Sequence, residues 1–365
     1  MNKIKIYLQR PWKISDSPYY HYLLSNPPSN VEYINTQGKR QGVIENHKKF
    51  RLINNLKGYI KKAFRIFYKG FPNAHYTFSN EKYDLIHCAH CMSLNHSPWI
   101  MDIEFVNQFW ASGNAYPNKK KTVLKILKNN NCKKILAWTE WTKQGILEIL
   151  PEIKDKIEVV YPAIPSRNIS KKENKDITLL FISRRFYFKG GLHALEVMDR
   201  LTKKYSNIKG IIVSDTPREV ISHYSQNKNI SFFEVMPQKE LMKKVYPLAD
   251  IFIYPSYTDT FGFGLTEALS FGLPVITVDG QARKEIIQEG KTGFVIPAPK
   301  NLDLYSLKNQ EKTIQEIVSK ASLLIENKTL RKTMSKNALN EIKTGRFSIT
   351  ERNKKLKLIF QEAIR

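Results

Sequence analysis

The sequence has 365 residues, of which 42% are hydrophobic and 12% aromatic; this is the composition of a globular protein and excludes an intrinsically disordered chain. The length suffices for about two domains with cores of their own, and three cysteines are too few for a disulfide framework. The net charge is +26 at pH 7, so we expect an anionic partner, which could be a nucleotide, a phospholipid or a nucleic acid.

The N-terminal region starts with a predicted strand at residues 3–8 and a helix-start signal at residues 15–18. No apolar run in the sequence is long enough for a signal peptide or a membrane span. We therefore expect a cytoplasmic protein, either free or attached to the inner face of the cell membrane.

Residues 46–80 contain eight Lys or Arg and no Asp or Glu, with apolar residues at helical spacing between them. Two interpretations of this stretch stay open. Residues 47–69 could form a basic amphipathic helix in peripheral contact with an anionic membrane. They could equally form a helix that packs on the core and exposes a solvated basic face.

A cluster of histidines and cysteines follows a predicted strand near residue 84. It invites a zinc hypothesis, but its spacing matches no common zinc module, so no metal is expected. We predict instead that the cluster is part of the lining of the cleft between the domains, with the cysteines as small buried residues. The cluster consists of His87, Cys88, His90, Cys91 and His96.

The second half of the chain alternates short apolar runs with helical patterns, which predicts a doubly wound parallel sheet. A polar stretch at residues 166–176 is typical of a linker between two domains. A helical pattern at residues 349–364 ends the chain. The predicted strands are 179–183, 210–214, 230–233, 251–254, 275–278 and 293–296.

The chain is organised around residues 249–278, which predict a buried strand, a turn with two glycines, a helix at 265–270 and a second buried strand. Glycines let a backbone approach a ligand closely, and a helix N-terminus favours an anion such as a phosphate. Asp259 and Glu267 flank the turn eight positions apart.

This block resembles the nucleotide-sugar site of retaining glycosyltransferase family 4. The resemblance implies the GT-B architecture: two Rossmann-like, doubly wound parallel-sheet domains that face each other across a cleft. The first, acceptor-side domain would span residues 1–165, with the helix at 349–365 packed back on it. The donor-binding domain would span residues 166–348. The family usually has Glu where Asp259 stands, so the donor preference could differ.

The segment after the first strand of the second domain is similar to the family's Gly-Arg-Leu-x-x-x-Lys-Gly. Arg184 and Lys189 hold its two cationic positions, and Ser183 replaces the glycine. The two cations would stabilise the diphosphate leaving group in place of a metal ion, since the sequence has no Asp-x-Asp pair. We therefore expect neither a metal nor another cofactor.

Within the acidic block, Glu267 would bind the ribose hydroxyls and Asp259 the sugar. The backbone N–H groups of residues 263–265 would face the diphosphate. The resemblance also assigns donor binding to Ser183 and to the turn and the helix start, that is, to Phe261, Gly262, Phe263, Gly264, Leu265 and Thr266.

Glu104 stands where the family usually has a histidine that faces the transferred sugar. It is either a base toward the acceptor hydroxyl or an ordinary acid at a strand end.

The resulting prediction is a metal-independent, retaining hexosyltransferase that uses a nucleoside diphosphate sugar and a glycan or lipid-linked acceptor. A nucleotide-sugar epimerase or a phosphorylase of the same fold is the alternative. A basic nucleic-acid-binding protein is a weaker alternative, because the chain lacks a recognised module and would leave the Asp259–Glu267 block unexplained.

Overall fold

The computed structural model describes residues 3–10, 18–36, 56, 59–60, 70–167 and 175–365. The chain divides into two compact units. Unit 1 comprises Met1–Ala163 together with Arg346–Arg365, and unit 2 comprises Ile164–Gly345. The division after residue 163 lies two residues before the predicted domain boundary.

Unit 1 is built on a parallel sheet of six strands in the order β2-β1-β4-β6-β7-β8, with a separate two-stranded parallel sheet, β3-β5. The strands are β1 (Ile4–Gln9), β2 (Val31–Tyr33), β3 (Ala74–His75), β4 (Leu85–Ala89), β5 (Met92–Ser93), β6 (Trp99–Ile103), β7 (Cys132–Ala137) and β8 (Ile157–Val159). The helices are α1 (Pro18–Ser25), α2 (Lys120–Lys128) and α3 (Glu140–Ile149), with short 3-10 turns at Val106–Phe109, Pro117–Lys119 and Pro151–Lys156. All five residues of β6 are buried, as expected for a central parallel strand.

Unit 2 contains a second parallel sheet of six strands in the order β11-β10-β9-β12-β13-β14. Its strands are β9 (Ile177–Ile182), β10 (Ile208–Val213), β11 (Ile230–Phe233), β12 (Ile251–Tyr254), β13 (Val275–Val278) and β14 (Gly293–Ile296). Its helices are α4 (Gly191–Lys204), α5 (Arg218–Tyr224), α6 (Gln238–Glu240), α7 (Phe263–Ser270), α8 (Arg283–Ile286), α9 (Glu311–Glu326) and α10 (Lys328–Lys343). Short 3-10 turns lie at Tyr187–Lys189 and Tyr246–Leu248, with one π-helical turn at Leu241–Val245.

The strand order of unit 2 places its topological switch point between β9 and β12, which pair directly (Ile251 with Leu179, Phe252 with Leu180). In open α/β sheets, ligands bind outside the carboxyl ends of the strands at this point. The loops that follow β9 and β12 are the two that the sequence had singled out. Both predicted parallel sheets are therefore present, and the predicted fold class is confirmed.

The C-terminal helix α11 (Ile349–Ala363) belongs to unit 1. Ser348 caps it by accepting the backbone N–H of Glu351 (3.2 Å). The buried Arg352 donates to the carbonyl of Asn26, and the Asn353 amide donates to the same carbonyl at 3.1 Å. Because these bonds join residues more than 320 positions apart, they hold the end of the chain against the segment after α1.

The basic stretch 47–69 lies outside the described residues except for Leu56, Tyr59 and Ile60, so the choice between its two interpretations stays open. These three residues are helical and exposed. In the part of the chain that the structure describes, no helix has the length and apolar character required to cross a bilayer.

His193, in the first turn of α4, provides a prediction for the acid stability of unit 2. Its side chain is fully buried, and burial lowers its pKa to about 4 against the opposing effects of Gln310 and Asp303. The unfolded chain binds this proton near the ordinary pKa of 6.5, so the stabilisation is complete above that pH and is lost as the pH falls toward 4. Through this histidine, the wild type should lose about 2 kcal/mol of its free energy of unfolding between pH 7 and pH 5. The variant His193→Leu should not show this loss.

Urea unfolding at the two pH values measures this difference. The exposed His223 provides the matched control, because His223→Leu should keep the pH dependence of the wild type. If His193→Leu lost as much stability on acidification as the wild type does, the assignment would be wrong.

Candidate functional site

The loop after β9 is tied to the loop after β12. Ser183 closes a local turn, with its hydroxyl donating to the carbonyl of Arg185 (3.0 Å) and accepting that residue's N–H (2.9 Å). The chain then turns through the 3-10 segment Tyr187–Lys189, and the Lys189 carbonyl accepts the N–H of Ser256 (3.0 Å). The two loops of the switch point therefore form one connected surface at the carboxyl edge of the sheet.

Asp259 and Lys189, 70 positions apart in the sequence, form an ion pair with 3.1 Å between Nζ and Oδ2. The Lys189 ammonium also donates to the carbonyl of Thr258 (2.9 Å), and the hydroxyl of Tyr254 donates to Oδ2 of Asp259 (2.8 Å). Burial lowers the pKa of Lys189, although the Asp259 carboxylate opposes the shift. Two of the predicted site residues are therefore in contact, and the positive charge of Lys189 is paired with the Asp259 carboxylate.

The loop after β12 that carries Asp259, called the acid loop below, is held by Arg283. This residue is only 2% exposed. Its guanidinium donates to the carbonyls of Val278 (2.6 Å) and Asp259 (3.0 Å) and to the side-chain oxygen of Gln281 (2.6 Å). Gly280 makes room for it, since a Cβ at that position would lie 2.4 Å from Nη2. A buried charge with three acceptors fixes the loop after β12 relative to the carboxyl end of β13.

Helix α7 begins at Phe263, two residues earlier than predicted. Gly262 is its N-cap and has a φ of +76°, a left-handed conformation that glycine adopts without strain. The sharp turn brings Phe263 and Gly264 into the first helical turn, whereas the sequence had placed them in the loop. The predicted set of phosphate-facing N–H groups is also corrected, because the N–H of Leu265 donates to the carbonyl of Gly262 (2.9 Å).

Glu267, on α7, is 8% exposed and is bound by two protein donors. The amide of Gln238 donates to one carboxylate oxygen, and the hydroxyl of Tyr246 donates to the other at 3.0 Å. Burial raises the pKa of Glu267, although these donors and the guanidinium groups of Arg167 and Arg184 oppose the shift. Arg184 is exposed and exerts its charge on this carboxylate from the loop after β9.

The other predicted donor-binding residues of this block are largely internal. Phe261 is 1% exposed, and its ring lies edge-on to that of Phe263 at a centroid distance of 4.9 Å. Leu265 and Thr266 are fully buried, and the Thr266 hydroxyl donates back to the Phe263 carbonyl (3.1 Å). Their side chains shape the turn from within.

Glu104 belongs to unit 1, whereas the other predicted catalytic residues belong to unit 2. It follows β6 directly. Its N–H donates to the side chain of Gln108 (2.8 Å) and its carbonyl accepts the hydroxyl of Thr142 (2.6 Å). These bonds fix its backbone at the carboxyl edge of the first sheet.

The histidine and cysteine cluster is mainly structural. His87 is fully buried between the hydroxyl of Tyr33 (3.0 Å) and the carboxylate of Asp102 (2.7 Å). All three cysteines are buried and free, which confirms the predicted burial of the cysteines in the cluster. Within the described ranges, no three His, Cys, Asp or Glu side chains come together to hold a metal ion.

Four residues of the site escaped the sequence analysis: Tyr254, Arg283, Gln238 and Tyr246. Each acts through a hydrogen bond to a carboxylate or carbonyl of the acidic block. Tyr254 ends a predicted strand next to the acid loop, which is a weak signal for a site residue. The other three lie 21 to 29 positions from their partners, and their residue types alone carried no signal.

Comparison with known proteins finds a family model that is similar to just under half of the chain. Residues 164–341 match the family described as glycosyl transferases group 1. An uncharacterized glycosyltransferase of Haemophilus influenzae is 27% identical over 221 residues, which are 59% of this chain and 58% of that protein. The GPI3 subunit of the phosphatidylinositol N-acetylglucosaminyltransferase of Saccharomyces cerevisiae is 21% identical over 211 residues, 56% of this chain and 44% of that protein. The chain thus spans about half of the length of these relatives.

Among solved structures, Anabaena HepE in complex with UDP and glucose superimposes with a TM-score of 0.61 at 13% identity, covering 99% of this chain and 100% of that one. This likeness extends over both units and shows that they form the GT-B fold. The match to the family covers the acid loop, the loop after β9 that carries Arg184 and Lys189, and the N-terminus of α7. Residues 164–341, just under half of this chain, therefore resemble the group 1 glycosyl transferases.

Proposed function

We propose that the protein transfers a hexose from a nucleoside diphosphate sugar to a glycan or lipid-linked acceptor, with retention of the anomeric configuration and without a metal ion. The observation that carries the proposal is the convergence of Lys189, Asp259, Glu267 and the glycine-capped start of α7 at the switch point of one sheet. HepE, of the same fold, binds UDP and glucose, and the yeast relative is named for an acceptor that is a lipid.

The nucleoside end of the donor would bind Glu267. A carboxylate accepts two hydrogen bonds from a pair of ribose hydroxyls, and burial strengthens such bonds by excluding water. The amide of Gln238 donates to one carboxylate oxygen, which keeps a second lone pair for a ribose hydroxyl. Tyr246 can keep its bond and hold the carboxylate in place.

The diphosphate would lie between the start of α7 and the cations of the β9 loop. Gly262 has no side chain to cap the helix, and the partial positive charge at the start of α7 would attract phosphate oxygens. Arg184 supplies a fork of donors and Lys189 a point charge, which together can offset the negative charge that grows on the leaving group.

Transfer would break the bond between the anomeric carbon and the diphosphate oxygen and form a bond to the acceptor oxygen on the same face. Asp259 would accept hydrogen bonds from the sugar hydroxyls, with its carboxylate held by Tyr254 and Lys189. Glu104 is a candidate to receive the acceptor proton. In this proposal the protein works in the cytoplasm, with residues 47–69 facing anionic lipid at the inner side of the membrane.

Calorimetric titration with a panel of nucleoside diphosphates and their sugars, in the presence of EDTA, tests the proposal. We expect one nucleotide to bind and its sugar to bind more tightly, with no loss on chelation. Failure of every nucleotide to bind would contradict the transferase assignment. Release of nucleoside diphosphate only when acceptor is added separates a transferase from an epimerase, and NMR of the product shows the anomeric configuration.

A further inference from the structure

An arginine at the start of unit 2 is seated on an aromatic ring. The guanidinium carbon of Arg167 lies over the ring of Phe271, 5.1 Å from its centroid. A planar guanidinium stacks well on an aromatic face, and the two attract each other electrostatically. Arg167 is half-buried, and its Nε is a buried atom that donates to no residue in the described part of the chain. The ring beneath the guanidinium therefore sets its place.

The Phe271 ring is the middle layer of a column that ends at Glu267. It stacks on the ring of Tyr246, with the two centroids 5.0 Å apart and an angle of 9° between the planes. Both rings are buried, and the Tyr246 hydroxyl donates to the Glu267 carboxylate at 3.0 Å. Close-packed layers lose contacts if one of them shifts, so they resist displacement. The column of Arg167, Phe271 and Tyr246 thus holds a positive charge at a fixed place with respect to the carboxylate.

This charge matters because the donors that bind Glu267 are neutral. The carboxylate accepts from the amide of Gln238 and from the hydroxyl of Tyr246. The positive charges that face it belong to Arg167, in the segment before β9, and to Arg184, in the loop after β9. Arg184 is exposed, so water and salt screen its charge more than that of the half-buried Arg167. Burial raises the pKa of Glu267, and Arg167 exerts the larger of the two opposing charge effects.

We propose that Arg167 is a positioning residue for the nucleoside end of the donor, and that it acts through Glu267 by means of its charge. The inference rests on the proposed function, in which this carboxylate accepts the two ribose hydroxyls. An ionised carboxylate offers acceptors only, whereas a protonated one turns one oxygen into a donor and binds a pair of hydroxyls less well. A fixed positive charge beside a buried carboxylate favours its ionised form. Arg167 does not need to touch the nucleotide.

The variant Arg167→Met tests this role, because a methionine keeps an apolar contact with the Phe271 ring and removes the charge. Without that charge the pKa of Glu267 should rise further, so nucleotide binding should require a higher pH. In titration calorimetry with UDP, we expect an affinity about fivefold below that of the wild type at about pH 5, and an equal affinity at about pH 8. The variant Arg167→Lys keeps the charge and should bind UDP like the wild type at both pH values.

The carboxyl group of Glu267 can also be followed without any nucleotide. NMR of protein with isotope-labelled glutamate carboxyls measures the pH at which the group ionises, and the Glu267 signal is identified by its absence in Glu267→Gln. We expect this pH to be higher in Arg167→Met than in the wild type. The matched control, Arg200→Met, removes an arginine charge from the ion pair with Glu311 and should leave the titration unchanged.

Equal titration of Glu267 in Arg167→Met and in the wild type would overturn the proposal. So would a loss of UDP affinity by the same factor at both pH values, because it would indicate a purely structural role. A wild type that binds neither UDP nor another nucleoside diphosphate would overturn the proposed function, and the role of Arg167 toward the donor with it. That failure is distinguishable from the others, because the carboxyl titration needs no nucleotide.

Discussion

Glu267→Gln is expected to weaken binding of the nucleoside diphosphate about a hundredfold, or about 3 kcal/mol. The carboxylate offers only acceptors, and the ribose hydroxyls are donors toward it. The hydroxyl of Tyr246 already donates to one oxygen, so an amide at position 267 must turn its NH2 group toward a donor. Charge-assisted bonds in a buried site are about twice as strong as neutral ones, and their loss accounts for the expected size.

The same substitution should not lower stability at neutral pH. Burial raises the pKa of Glu267, so the protonated form is stabilised by folding, and that contribution is lost as the pH rises through the raised pKa. A neutral glutamine avoids the free-energy cost of burying the ionised carboxylate. Nucleotide affinity should show the opposite pH dependence and fall as the pH falls. Because the pKa of Glu267 is raised, this fall should begin at a higher pH than it would for a glutamate with an ordinary pKa.

Titration calorimetry with UDP and urea unfolding at pH 7 measure the two effects separately. Glu316→Gln, at a half-buried acid of α9, is the matched control and should change neither quantity much. A variant that binds UDP as tightly as the wild type would show that Glu267 does not contact the ribose. A variant that unfolds would show that the carboxylate has a structural role instead.

Arg283→Met is expected to lower the free energy of unfolding of unit 2 by about 3 kcal/mol. The change leaves the carbonyls of Val278 and Asp259 without the guanidinium donor, and the Val278 carbonyl lies in the interior. It also frees the acid loop, so the precise placement of Asp259 is lost. We expect any sugar-dependent gain in donor affinity to disappear, while affinity for the nucleoside diphosphate, which we propose binds through Glu267, should fall little.

Arg200→Met provides the comparison, since Arg200 makes a bidentate pair with Glu311 on the surface. Exposed pairs contribute less than about 1 kcal/mol, so this variant should remain near the wild type in both measurements. Arg283→Lys keeps the charge without the planar fork and should lie between the two. Equal stability of the Arg283 and Arg200 variants would contradict the assigned role of Arg283.

Several features of this protein could be predicted from local sequence. A parallel strand buried on both faces is a continuous apolar run, so 251–254, 275–278 and 293–296 were predicted with the observed bounds. A strand, a glycine turn and a helix in succession place an anion site at the helix start. The resemblance of the whole block at residues 249–278 to a nucleotide-sugar site, together with this pattern, led to the candidate site.

The helix start was predicted less accurately. The sequence placed the beginning of α7 at Leu265 because two glycines precede it, and glycine is a poor helix former. The left-handed conformation of Gly262 reverses the chain so sharply that Phe263 and Gly264 already have helical geometry. The backbone conformation at one residue thus set the boundary.

What the sequence by itself determined is the set of buried strands, the acidic block and the cations that could serve it, because each depends on residues within one turn or strand. What only the tertiary structure decided is which groups satisfy one another. Lys189 pairs with Asp259, and the Arg283 guanidinium holds the Asp259 carbonyl. The physical reason is that a hydrogen bond between distant segments depends on the strand order of the sheet, which no local pattern contains.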